Sequence, residues 1–161
     1  MAKQNATGKA ISNALSDGQG PNSQKSGQKK FEAFFKNLRH IKKEGLLPCV
    51  VFFFSRKQVE DLANEVDDKL TFIGDFERKR IKDFKKKALE RLEEDDRQLP
   101  QVVNLCNLLD RGIGFHHAGM IPLLKEMVEI LFTDNLLSVV FATSTFAIGL
   151  NMPARSVIFT Q

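Results

Sequence analysis

Cys49-Val50-Val51-Phe52-Phe53-Phe54 is an apolar run closed by Ser55, with Gln58 three positions further on. A short, wholly apolar run rich in Val and Phe reads as a strand buried on both faces, the pattern of a parallel sheet. Ser followed three residues later by Gln is a capping-box signature, so a helix starts at once and runs to about Val66. A buried strand feeding directly into a capped helix is the opening of a β–α unit, and the rest of the chain follows from it.

Upstream, Phe31, Phe34, Phe35, Leu38 and Ile41 recur at helical spacing, which gives an amphipathic helix ending near Gly45. Downstream, Asp75 to Asp96 is dense in charge but keeps Ile81, Phe84, Ala88 and Leu92 on one helical stripe. That pattern predicts a mostly exposed helix whose charge run is a solvated face. Leu99-Pro100 ends it, and Val102 to Leu109 forms another short helix. Ile113 to His116 reads as a second strand, and Gly119 and Pro122 turn the chain into a helix over Pro122–Phe132. Leu137 to Ala142 is a third strand and Ser156 to Thr160 a fourth. Strands alternating with helices in this way predict an α/β fold, a parallel sheet with helices on both faces. Right-handed crossovers then bring the C-terminal ends of all strands to one edge.

Composition bounds the function. The chain has 161 residues, 42% hydrophobic and 27% charged, which suits one soluble domain. No apolar run approaches the ~20 residues of a membrane-spanning helix, so no membrane partner is expected. The polar start, Met1 to Ala10, lacks a secretory signal and reads as intracellular. Cys49 and Cys106 sit in apolar surroundings, which fits a reducing compartment rather than a disulfide scaffold. Residues 1–30, rich in Gly, Ser, Asn, Gln and Lys, read as a flexible tail or linker, with the folded domain over 31–161. Five lysines against Asp17 in that tail account for the whole net charge of +4, so bulk charge says nothing about partners. Thr7-Gly8-Lys9-Ala10 fails as a phosphate-binding loop, because Lys3 and Ala10 stand where Gly and Ser or Thr are needed.

In open α/β sheets ligands bind at the strands' C-terminal ends, and the polar punctuation of this chain falls there. Ser55-Arg56-Lys57 follows the first strand, and His116-His117-Ala118-Gly119 the second. Thr143-Ser144-Thr145 follows the third, with Gly149 and Asn151 close behind. Each has a plain structural reading. Ser55 caps its helix, Arg56 and Lys57 taken alone are solvent-facing, and one of the two histidines is a packed residue. Thr143 to Thr145 cap a short helical turn, and Gly149 serves the backbone. Adjacent histidines on a strand point to opposite faces, so a metal site is rejected. Together, hydroxyls, amides and one guanidinium at neighbouring strand ends suit a run of phosphates. No catalytic acid–base pair, Ser-His-Asp set or nucleophilic Cys is present, so no catalytic residue is assigned.

These segments resemble the second RecA-like lobe of superfamily-two helicases, specifically the superkiller-type DExH-box RNA helicases associated with the RNA exosome. Val50–Glu60, VVFFFSRKQVE, is similar to that family's motif IV. Asp96–Val102, DRQLPQV, with Leu109–Pro122, LDRGIGFHHAGMIP, is similar to the stretch entering its His-His-x-Gly turn. Val139–Pro153, VVFATSTFAIGLNMP, resembles motif V, and the likeness covers roughly Phe31 to Gln161. The resemblance implies a RecA-like sheet that is C-terminally incomplete, ending before motif VI and its arginine, and lacking the first lobe with its phosphate-binding loop and DExH box. It implies that Ser55 and Arg56 contact the backbone of single-stranded RNA, that His117 and Gly119 border the same track, and that Thr143 with Ser144 grips a phosphate. Gly149 and Asn151 are implied to face ATP, whose magnesium ion is held mainly by the first lobe. Ser144 departs from a position that is often acidic in the family.

The function so implied is part of an ATP-dependent RNA helicase moving 3′ to 5′ in RNA processing or decay. Its partners are single-stranded RNA, the first lobe of the parent chain, the exosome and adaptor proteins. The location implied is the nucleus, with the cytoplasm as the alternative, and the isolated chain is expected to be inactive. A truncated, non-catalytic RNA- or protein-binding module is the competing reading. A plain nucleotide-binding metabolic domain is a third, disfavoured by the lack of a glycine-rich loop.

Overall fold

The structure, a computed structural model, describes residues 34–66, 70–147 and 153–160. Helical residues 34–43 form α1, with Phe34, Phe35, Leu38 and Ile41 buried along the expected stripe. At its end the Gly45 and Leu46 amides donate to the Lys42 and Ile41 carbonyls at 3.2 and 3.1 Å. That paired closure satisfies two otherwise orphaned helix carbonyls.

β1 is Cys49–Phe52, two residues shorter than the apolar run predicts. Cys49, Val50 and Val51 are buried on both faces as expected, and Phe53 still pairs through its amide with the Ala142 carbonyl at 2.8 Å. Phe54, however, stands 79% exposed, so the run's last residue belongs to the sheet edge and not to the core. The expected capping box follows and opens α2, Arg56–Asn64. α3 spans Asp75–Leu89 and buries Ile81 and Ala88, with Phe84 and Leu92 partly buried against the core. It stops well short of Asp96. Glu90, Glu93, Glu94, Asp95 and Asp96 would crowd negative charge onto the helix's C-terminal end, where the backbone dipole is already negative. The acidic residues instead fall in turns and a 3₁₀ turn at Asp96–Gln98.

α4, Pro100–Leu109, and α5, Pro122–Thr133, each begin with proline, whose missing N–H costs nothing in a first turn. β2 is Ile113–His116, β3 is Val139–Ala142 and β4 is Ser156–Phe159. The four strands are all parallel, in the order β2-β3-β1-β4, the α/β arrangement expected of a RecA-like sheet. Side chains alternate between the faces. Phe115, Phe141 and Val51 are in register on one, where the Phe34 ring of α1 lies 6.0 Å from Phe141. Gly114 and His116 lie on the other, against α5. A Cβ on Gly114 would sit 3.1 Å from Leu137 Cδ1 and 3.2 Å from Val128 Cγ1, so glycine is what lets α5 approach so closely. Helices therefore cover both faces. Cys49 and Cys106 are free thiols, and burial pushes Cys49 up to about 11. Among the described residues no helix is long and apolar enough to cross a membrane.

Candidate nucleic-acid interface

The register aligns His116, Ala142 and Phe52 as the last residues of three adjacent strands. Backbone bonds tie the chain together just beyond that line. Thr143 N–H donates to the His116 carbonyl at 3.1 Å, and Thr160 N–H to the Phe52 carbonyl at 3.0 Å. Ser55, His117 and Thr143 thus leave the sheet along one edge, as the all-parallel pairing requires.

Ser55 does cap α2. Its Oγ accepts from the Gln58 amide at 3.2 Å, while Gln58 Oε1 accepts from the Ser55 amide at 3.3 Å. The hydroxyl proton is left over from this arrangement, so Ser55 retains one donor for an acceptor at the edge. Arg56, in the first turn of α2, is exposed, and among the described residues no carboxylate pairs with it. The structure brings it against the turn after β2. A Cβ on Gly119 would lie 3.3 Å from Arg56 Nη1 and 3.2 Å from His117 Nδ1, a tight fit in which the exposed Arg56 side chain is the group free to shift.

His117 is 1% exposed, its ring stacked 6.0 Å from Phe115. Its Nδ1 accepts the Gly119 amide at 3.1 Å, which places the proton of the neutral ring on Nε2. That Nε2 stands 3.1 Å from Glu60 Oε1 but out of hydrogen-bond alignment. Burial holds His117 below the usual histidine range, with Glu60 opposing the shift and Arg56 reinforcing it. A neutral His117 leaves Arg56 as the cation of this cluster.

His116 turns to the opposite face, as strand alternation demands. Its Nε2 lies 2.7 Å from Glu129 Oε1 on α5, and its ring is 4.7 Å from Phe146. Burial again lowers its pKa against the opposing pull of Glu129. Both histidines are packed, where sequence reasoning assigned only one. Thr143 is buried, its Oγ1 bonded to Thr145 Oγ1 at 3.1 Å and its carbonyl accepting from the Phe146 amide at 3.0 Å. Ser144 and Thr145 are exposed at the start of a 3₁₀ turn, Ser144–Ala147. A phosphate at this turn would meet those two side chains before Thr143. Gly149 and Asn151, the positions implied to face ATP, lie outside the described residues. Among the described residues no group of three or more His, Cys, Asp or Glu could hold a metal ion.

Glu60, Glu129 and Thr145 were not assigned to the site from sequence. Glu60 and Glu129 give no local sign, since each gains its meaning only from a histidine brought to it by the fold. Thr145 was visible beside Thr143, and its role appears only in the hydroxyl pair.

No family model matches the chain. Several curated proteins do. It is 46% identical over 126 residues, 78% of its length, to "mRNA transport homolog 4" of Caenorhabditis elegans, covering 12% of that protein. It is 44% identical over 124 residues, 77% of its length, to "Antiviral helicase SKI2" of Saccharomyces cerevisiae, covering 10%. It is 43% identical over 137 residues, 85% of its length, to "Exosome RNA helicase MTR4" of Homo sapiens, covering 13%. The chain therefore spans about an eighth of the length of such relatives.

Proposed function

This chain is homologous over most of its length to a segment of the superkiller-type, exosome-associated DExH-box RNA helicases, and we propose that it is the second RecA-like lobe of such a motor. Residues 31–161 form the lobe and residues 1–30 a linker. Its strand-end edge holds the phosphates of single-stranded RNA, with Arg56 and Ser55 on one nucleotide's backbone and Ser144 and Thr145, with buried Thr143 behind them, on another. His117 and Gly119 shape the floor between them. The observation that supports this reading is the turn at Gly119, where the exposed Arg56 guanidinium, without a carboxylate partner among the described residues, comes near the buried His117 beside two strand ends rich in hydroxyls. Neutral donors and one cation hold phosphate without locking it, and a motor that reads backbone can slide over any sequence.

The same reading assigns Gly149 and Asn151 to ATP binding, with the magnesium ion held by the complementary lobe. Two lobes alternating between closed and open around the nucleotide then move the strand 3′ to 5′, a two-state hinge biased by the bound phosphates. The parent protein works in the nucleus on RNA destined for the exosome. Taken by itself this lobe binds RNA without turning over ATP, because the nucleotide's phosphates and magnesium ion are held by the complementary lobe.

The test is reconstitution. The chain is mixed with a matching DExH lobe and the residues that carry motif VI, and ATP hydrolysis is followed with and without single-stranded RNA. RNA-stimulated hydrolysis in the complete mixture, absent from either part, is the expected result. A complete mixture that stays inert while both parts are folded contradicts the proposal.

A further inference from the structure

Phe54 is the one residue of the apolar run that the fold does not use. Phe53 beside it is buried, and Phe115, Phe141 and Phe146 at the same end of the sheet are buried as well. Among the described residues Phe54, 79% exposed, has the largest exposure of the large apolar side chains and makes no ring contact with another aromatic. A lone exposed apolar side chain is ordinary on a protein surface. This one immediately precedes Ser55 and Arg56, at the edge where the phosphates are placed.

We propose that Phe54 is a stacking platform for a base of the single strand whose backbone Ser55 and Arg56 hold. The proposal rests on the RNA-binding reading above and adds a contact to the nucleobase. A phosphate held by Ser55 and Arg56 leaves its nucleoside close to Phe54, the residue immediately before that pair. Desolvating a phenyl face against a base recovers the apolar burial that this side chain lacks. Stacking also keeps the binding independent of sequence, because every base presents a π-face. The aromatic ring and the cation then act as the two halves of one nucleotide subsite.

The experiment is a fluorescence-anisotropy titration of the full chain with two oligomers of equal length. One is a single strand of uridines and the other the same ribose-phosphate strand without bases. Phe54→Ala is expected to weaken uridine binding by about five- to a hundredfold, leave the abasic strand unaffected, and leave the melting temperature unchanged. Phe54→Trp is expected to restore or exceed the original affinity, and Phe54→Leu is not. Arg56→Ala is expected to weaken both oligomers. If Phe54→Ala binds both strands as the parent chain does, or if Phe54→Leu retains full affinity, the stacking proposal is overturned while the phosphate site stands. If Phe54→Ala weakens both strands equally, the residue acts on the backbone or the fold and the proposal is again overturned. Failure of the unsubstituted chain to bind either oligomer removes the RNA-binding reading itself.

Discussion

Arg56→Ala removes a guanidinium from the strand-end edge without touching the core. Arg56 is exposed and, among the described residues, lacks a carboxylate partner, so its loss should alter stability by no more than about 0.5 kcal/mol. The effect on RNA should be far larger. A hydrogen bond to a charged group contributes about 1.5–3 kcal/mol, and a solvent-exposed phosphate sits at the lower end of that range. Affinity for a single strand should therefore fall roughly tenfold, since 1.4 kcal/mol is one decade. The same substitution deletes one phosphate contact, so the slope of log affinity against log salt should become shallower by about 0.7. Anisotropy titrations at several salt concentrations measure both quantities. Arg56→Lys keeps the charge and should keep most of the slope, but it loses the forked geometry that reaches two phosphate oxygens. An unchanged slope in Arg56→Ala would mean the guanidinium faces no phosphate. A loss of melting temperature would mean the residue is structural, and either result refutes the reasoning.

Ser55→Ala should cost about 1 kcal/mol in chemical denaturation through the lost cap on α2, a cost that Ser55→Asp should largely recover. Gly114→Val should destabilise by about 1–3 kcal/mol, because its Cβ would meet Leu137 and Val128 in a packed interface, and a wild-type denaturation curve would contradict that account. Burial holds His116 and His117 below the ordinary histidine value, so between their folded values and about 6.5 the unfolded chain binds more protons. Their stabilising share is complete above about pH 6.5 and is lost as the pH falls below it. With both residues titrating, the slope has a ceiling of about 2.7 kcal/mol per pH unit. Denaturation midpoints across this range should fall on acidification, and His117→Gln should flatten the slope, whereas a flat parent profile would contradict the burial argument.

The readability of the chain varied with how local each cause was. Cys49 to Val51 were legible as a doubly buried strand, because an apolar run with no polar alternation has few other uses. Ser55 and Gln58 fixed the start of α2 by a capping pattern confined to four residues. Phe54 was misplaced because a strand's end depends on where its neighbours end, here the β3 line at Ala142. The C-terminus of α3 was misplaced because the Leu92 stripe continues while the acidic cluster opposes a helix there. The site was half legible. Polar residues at strand ends could be listed, and topology alone put them on one edge. The arrangement at Gly119 could not be read, since it depends on Arg56 and His117 arriving from distant segments. Nor could the pairing of the Thr143 and Thr145 hydroxyls, which leaves Ser144 as the exposed hydroxyl of that turn outside the pair.

The central claim is that single-stranded RNA lies across the C-terminal edge of this sheet. Photo-crosslinking of the full chain to a single strand bearing 4-thiouridine, followed by mass spectrometry of the adducts, tests it most directly. Adducts within Phe54–Lys57, His116–Gly119 and Thr143–Thr145, diminished together by Arg56→Ala, are the result this account expects. Adducts confined to α3 or to the opposite edge of the sheet, with these three segments unmarked, would contradict it.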